Sequence, residues 1–127
     1  MSIQIIPYIF YRDVPAALEF LARAFGFVET ARNPTPRGGM HGEMEFGGHT
    51  IMMGQGSDEL GLSSVADARG ATQGVFIYLD DVDAHYERAR AAAAEIEKPP
   101  RDLPYGRSYT ARDPEGHPWY FTTPPRG

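Results

Sequence analysis

Shifted by 68 residues against itself, the chain repeats, and this constrains its fold more than any single motif. Of the 59 pairs aligned without a gap, eleven are identical: Ile9/Ile77, Asp13/Asp81, Val14/Val82, Ala16/Ala84, Glu19/Glu87, Ala24/Ala92, Glu29/Glu97, Pro36/Pro104, Gly38/Gly106, Gly48/Gly116 and His49/His117. Chance at this composition gives about four, and the matches fall at element boundaries. Tyr8/Phe76, Phe10/Tyr78 and Ile51/Trp119 support the same register. A 127-residue chain built this way is expected to be one small soluble domain made by duplication.

Each copy parses alike. Residues 3–11 and 74–79 are rich in β-branched and aromatic side chains and read as strands. Asp13 and Asp81 stand where helix N-caps belong. Val14, Leu18, Leu21, Ala22 and Phe25 recur at helical spacing, with Gly26 as a left-handed cap. Val82, Tyr86, Ala89 and Ala93 form one face of the second helix. Three short strands then follow in each copy, at 27–32, 40–46 and 49–54, and at 95–98, 107–112 and 117–122. Gly47-Gly48 and Pro114-Glu115-Gly116 make the last turns. The fold class is therefore α+β, with two tandem βαβββ modules at about 1–54 and 74–127. A Gly/Ser-rich linker, 55–73, joins them.

Composition removes several functions. The net charge is −5, against a broad nucleic-acid footprint. Cysteine is absent, which excludes disulfides, thiolate metal sites and cysteine nucleophiles, and fits a cytoplasmic protein. Met1 to Tyr11 is too short and alternating for a signal peptide or membrane span. His41-Gly42-Glu43 matches half of the zinc-deaminase signature, but the cysteine half cannot exist here. Walker, G-x-S-x-G and H-E-x-x-H motifs are missing.

Two stretches carry a family resemblance: MHGEMEFGGHTIMM (40–53), and LDDVDAHYERARAAAAEI with PYGRSYTARDPEGHPWYF (79–96 and 104–121). They resemble the glyoxalase/bleomycin-resistance/extradiol-dioxygenase superfamily, also called vicinal oxygen chelate proteins, near its PhnB-like and bleomycin-resistance-like branch. The resemblance implies curved mixed sheets around a concave cleft, and a homodimer. It also implies that four inward positions on the first and last strands of each module would hold a metal. Those positions are Ile6, Met52, Gly74 and Tyr120, which are unsuited to the task. No metal, cofactor or catalytic residue is assigned.

Strand alternation sends Tyr8, Phe10, Phe76 and Tyr78 to the face shared by Ile6 and Gly74. Tyr120, Met52, His41 and Glu43 are expected there too. By the repeat, Tyr109 takes the position of His41, and Arg107 joins as a polar group. Trp119 and Phe121 are expected under the helices. His85 is read as a solvated surface residue, and His49 and His117 as turn residues. This lining predicts non-enzymatic sequestration of an aromatic or amphipathic small molecule such as an antibiotic. The alternatives are a metal-dependent lyase, isomerase or dioxygenase with a rearranged site at His41 and Glu43, and a scaffold whose cleft is filled.

Overall fold

Asp13 and Asp81 fix where the helix of each copy starts. Each carboxylate accepts from the amide three residues on, Ala16 or Ala84, at 3.0 Å. In the computed structural model, which describes residues 2–125, α1 (Val14–Phe20) runs on into a π-helical turn, Leu21–Phe25. Pro15 sits in the first turn, where its missing N–H costs nothing. Gly26 closes the turn at φ +84°, a conformation that a side chain would strain. The second helix, α2, spans Val82–Ala91.

The strands of module 1 are β1 (Tyr8–Tyr11), β2 (Val28–Pro34), β3 (Met40–Phe46) and β4 (His49–Gln55), in the order β1-β4-β3-β2. Those of module 2 are β5 (Val75–Tyr78), β6 (Glu95–Leu103), β7 (Gly106–Arg112) and β8 (Pro118–Thr123), in the order β5-β8-β7-β6. In both sheets the first strand runs parallel to the last, and the other pairs are antiparallel. The two sheets with their helices form the α+β, twice-βαβββ architecture expected from the repeat.

Two strand limits differ from expectation by more than two residues. β1 begins at Tyr8, not at residue 3: Pro7 accepts from Met52 N–H at 3.0 Å but has no hydrogen of its own to extend the ladder. β6 runs to Leu103, because Pro99-Pro100 is absorbed where its pairing register shifts, on the edge strand of the sheet.

A subtler difference reorients side chains. Tyr8↔Met52 and Phe76↔Tyr120 are equivalent pairs at an offset of 68. Yet Met52 faces Glu43 across the hairpin, whereas Tyr120 faces Thr110, one residue short of the position 111 that the repeat requires. The cause is turn length. Phe46 and His49 flank the two-residue Gly47-Gly48 turn, both glycines at positive φ, while the corresponding turn of module 2 carries one more residue. A one-residue slip sends every side chain of β7 to the other face. Tyr109 is therefore buried in the core against Phe121 and Tyr86, not in the cleft. Arg107 turns with it and pairs with Asp83 of α2 at 3.0 Å and Asp102 at 3.2 Å.

One core runs through both modules. Phe25, at the end of the π-helical turn, meets Trp119 and Phe121 of β8 at ring-centroid distances of 5.6 and 4.8 Å. Trp119 and Phe121 are fully buried, as alternation predicts. His85 is half-buried at this junction and not solvated as expected. Its Nε2 is 2.8 Å from the Phe25 carbonyl and its Nδ1 is 2.6 Å from Tyr109 Oη.

The Asp113–His117 turn clamps the modules together. Asp113, buried, accepts from Tyr11 Oη at 2.6 Å, Trp119 Nε1 at 3.1 Å, and the amides of Glu115 and His117 at 3.1 and 3.0 Å. Burial, together with the Asp113 charge, holds the Tyr11 phenol well above its ordinary pKa. Glu115 accepts from the amides of Arg12 and Asp13 at 2.7 and 2.9 Å, and His117 Nε2 donates to the Phe10 carbonyl at 2.9 Å.

Two outcomes follow from this junction. Asp113→Ala strands buried donors, so urea unfolding is expected to show a loss of about 3 kcal/mol or more. Burial lowers the His85 pKa from its ordinary 6.5, so the unfolded chain takes up a proton that the folded chain resists. Stability is then complete above that value and falls as the pH drops through the lowered one. Melting temperatures at pH 7.5 and 5.0 should differ more for the native chain than for His85→Gln.

Candidate functional site

Alternation along β1 puts Tyr8 and Phe10 on one face, with ring centroids 5.3 Å apart. Tyr8 lies beside Met52 and Met52 beside Glu43, so three strands bring these side chains together as expected. Tyr8 Oη lies 2.9 Å from His41 Nδ1, and His41 Nε2 lies 3.0 Å from Glu43 Oε2. The tyrosine reaches His41 only because residue 54 is glycine: a Cβ there would stand 2.5 Å from Tyr8 Oη. Burial, then the Glu43 charge, raises the Tyr8 pKa and keeps the phenol protonated.

Module 2 answers with rings. Phe76 stacks on Tyr120 at 6.4 Å with 19° between planes, and packs edge-on against Tyr78 at 5.1 Å. Tyr105 joins at 6.2 Å from Phe76. The sequence reading missed it because it lies in the turn between β6 and β7, where no alternation marks direction. The Pro104-Tyr105-Gly106 turn opposite the equivalent Pro36-Arg37-Gly38 was the available signal.

The aromatic residues split into two populations. Tyr11, Tyr109, Trp119 and Phe121 are fully buried, while Tyr8, Phe76, Tyr78 and Tyr120 keep 45%, 47%, 58% and 38% of their surface. An open crevice of about 490 Å³ runs between β1 and β5, lined in part by Tyr8, Phe10, Phe76 and His117. Of the ten residues read from sequence as ligand-binding, Tyr8, Phe10, His41, Glu43 and Met52 gather in module 1. Phe76, Tyr78 and Tyr120 gather in module 2, and Tyr109 and Arg107 belong to neither group.

The positions matching the family's metal ligands do not fit a metal. Ile6 has no donor atom and precedes the β1 ladder. The Tyr120 ring lies over Gly74, where a Cβ would come within 2.6 Å of it, so position 74 has no space for a ligating side chain. Met52 and Tyr120 are a thioether and a phenol, a poor set for a hard divalent cation. Among the described residues, no group of three or more His, Asp or Glu is placed to hold a metal ion.

Known proteins share this architecture. The uncharacterized protein Mb0911c of Mycobacterium bovis is 30% identical over 125 residues, covering 94% of this chain and 82% of its own. The crystal structure of TioX from Micromonospora sp. ML1 is 33% identical, with a TM-score of 0.74 over 98% of each chain. TnmS3, an antibiotic binding protein from Streptomyces sp. CB03234, superposes with a TM-score of 0.76 at 21% identity, over 98% of this chain and 99% of that one. The fosfomycin resistance protein FosX from Mesorhizobium loti does so at 0.72 and 19% identity, over 98% and 94%. At such low identity, TnmS3 and FosX establish the fold alone. The model of the Glyoxalase/Bleomycin resistance protein/Dioxygenase superfamily matches residues 4–121, and the chain belongs to that superfamily.

Proposed function

We propose that the cleft face binds a planar, largely apolar small molecule of the antibiotic class through Tyr8, Phe10, Phe76, Tyr78 and Tyr120, and releases it chemically unchanged. The observation that carries this reading is the exposure of these rings. Four of them leave 38–58% of their surface in water, whereas Tyr11, Phe25, Tyr109, Trp119 and Phe121 are fully buried. Aromatic side chains are rigid, so stacking on a planar ligand costs little entropy. Proteins of the same fold include one described as antibiotic binding and another as a fosfomycin resistance protein, so the fold suits either binding or chemistry. The donor set at Ile6, Met52, Gly74 and Tyr120 favours binding.

The enzyme reading has one observation in its favour, the 3.0 Å contact between His41 and Glu43. Two neighbouring donors are fewer than a catalytic metal site requires. The exposed rings also favour a homodimer in which the partner helps to bound the cleft. The absence of cysteine and the net charge of −5 favour the cytoplasm and a partner other than nucleic acid. Among the described residues, no helix is long and apolar enough to cross a membrane.

Each stacked ring contributes roughly 0.5–1.5 kcal/mol beyond the area it buries, so two or three give useful affinity. In calorimetric titration with a panel of aromatic antibiotics, Phe76→Ala and Tyr120→Ala should each weaken binding about tenfold. The recovered ligand should keep its mass; a changed mass, or unchanged affinities in both variants, refutes the reading. A chelator should leave the melting temperature where it was, and sedimentation at micromolar concentration should show a dimer.

A further inference from the structure

The hydrogen bonds at the module 1 end of the cleft have a fixed direction. The Glu43 carboxylate only accepts, so His41 Nε2, 3.0 Å away, carries the hydrogen. In the neutral imidazole the lone pair is then at Nδ1, and Tyr8 Oη, 2.9 Å away, donates to it. The one phenolic hydrogen is thereby committed, and Tyr8 presents only lone pairs to the cleft. The other Glu43 oxygen presents lone pairs as well.

The His41 and Glu43 side chains are 25% and 32% exposed, so the negative charge is partly withdrawn from water yet still reachable. Among the described residues, the one ion-pair contact of Glu43 is with His41, and no lysine or arginine cancels its charge. Around this acceptor pair stand the faces of Tyr8 and Phe10 and the Met52 thioether, all soft groups that favour an organic cation.

We propose that this end of the cleft selects ligands that carry a positive charge: a planar aromatic molecule with a protonated amine, whose N–H groups donate to Glu43 and Tyr8 Oη. The inference rests on the reading of the cleft as a site for planar ligands and adds the charge that the ligand must bear. A neutral ligand would cover these acceptors and leave them unpaired. An anionic one would meet the carboxylate with no donor to receive it.

The test uses three probes of one ring system at pH 8, above the ordinary imidazole range: acridine (neutral), 9-aminoacridine (cationic) and acridine-9-carboxylate (anionic). Fluorescence titration should rank 9-aminoacridine about tenfold or more above acridine, equivalent to about 1.4 kcal/mol, with the carboxylate weakest. Glu43→Gln should bring 9-aminoacridine down to the level of acridine. If that variant does not fold, the native chain decides: raising salt from about 0.05 to 0.5 M should shrink the advantage of the cation. Acridine binding as well as 9-aminoacridine, or a preference that survives Glu43→Gln or is indifferent to salt, overturns the charge selection and leaves planar binding standing. Failure of all three probes to bind overturns the planar-ligand reading itself.

Discussion

The structure depends on one buried carboxylate. Asp113 sits in the turn before β8 and accepts from Tyr11 of β1, from Trp119 of β8 and from two amides of its own turn. Such a charge is tolerated in a core only when its oxygens are filled with donors, and here they are. Because the donors come from both modules, the group that satisfies the turn also sets where β1 lies. Glu115 and His117, from the same turn, fasten the residues on either side of Tyr11. The motif Arg-Asp-Pro-Glu-Gly-His is thus a joint between repeats, and β1 carries Tyr8 and Phe10 from that joint into the cleft.

Duplication gives two similar faces, and the one-residue slip of β7 makes them unlike. In module 1 the third strand turns His41 and Glu43 outward, beside Tyr8 and Met52. In module 2 the same strand turns Tyr109 into the core and leaves Ser108 and Thr110 on the sheet face, both nearly buried. The ionisable pair therefore stands in module 1 alone, beside Tyr8. Without the slip, Tyr109 and Ala111 would take the face that His41 and Glu43 take in module 1.

Most of the fold was legible because the repeat and the caps act locally. An N-cap aspartate, a left-handed glycine and an alternating strand each declare themselves within a few residues. β1, β4, β5 and β8 obey the offset of 68, so the faces of Tyr8, Met52, Phe76 and Tyr120 could be read in advance. Tyr109 and Arg107 could not be read at that offset, although the signal was present: a two-residue turn, Gly47-Gly48, stands opposite a three-residue one, Pro114-Glu115-Gly116. His85 was illegible for another reason. Its helix looks like a surface helix, and the ring is covered by Phe121 and Tyr109 from distant strands of its own module together with Phe25 of the other. Contacts between modules leave no periodic trace in either one.

Gly74 and Gly54 show how backbone glycines place the exposed rings. Each glycine lies under a tyrosine ring that a Cβ would strike, Tyr120 at 2.6 Å and Tyr8 at 2.5 Å. The bare backbone at position 74 leaves room for the Tyr120 ring, which stacks with Phe76. The equivalent contact at Gly54 lets Tyr8 bend toward His41. A glycine at such a place supplies the floor on which a ring can lie. A side chain at position 74 would have to displace the Tyr120 ring first.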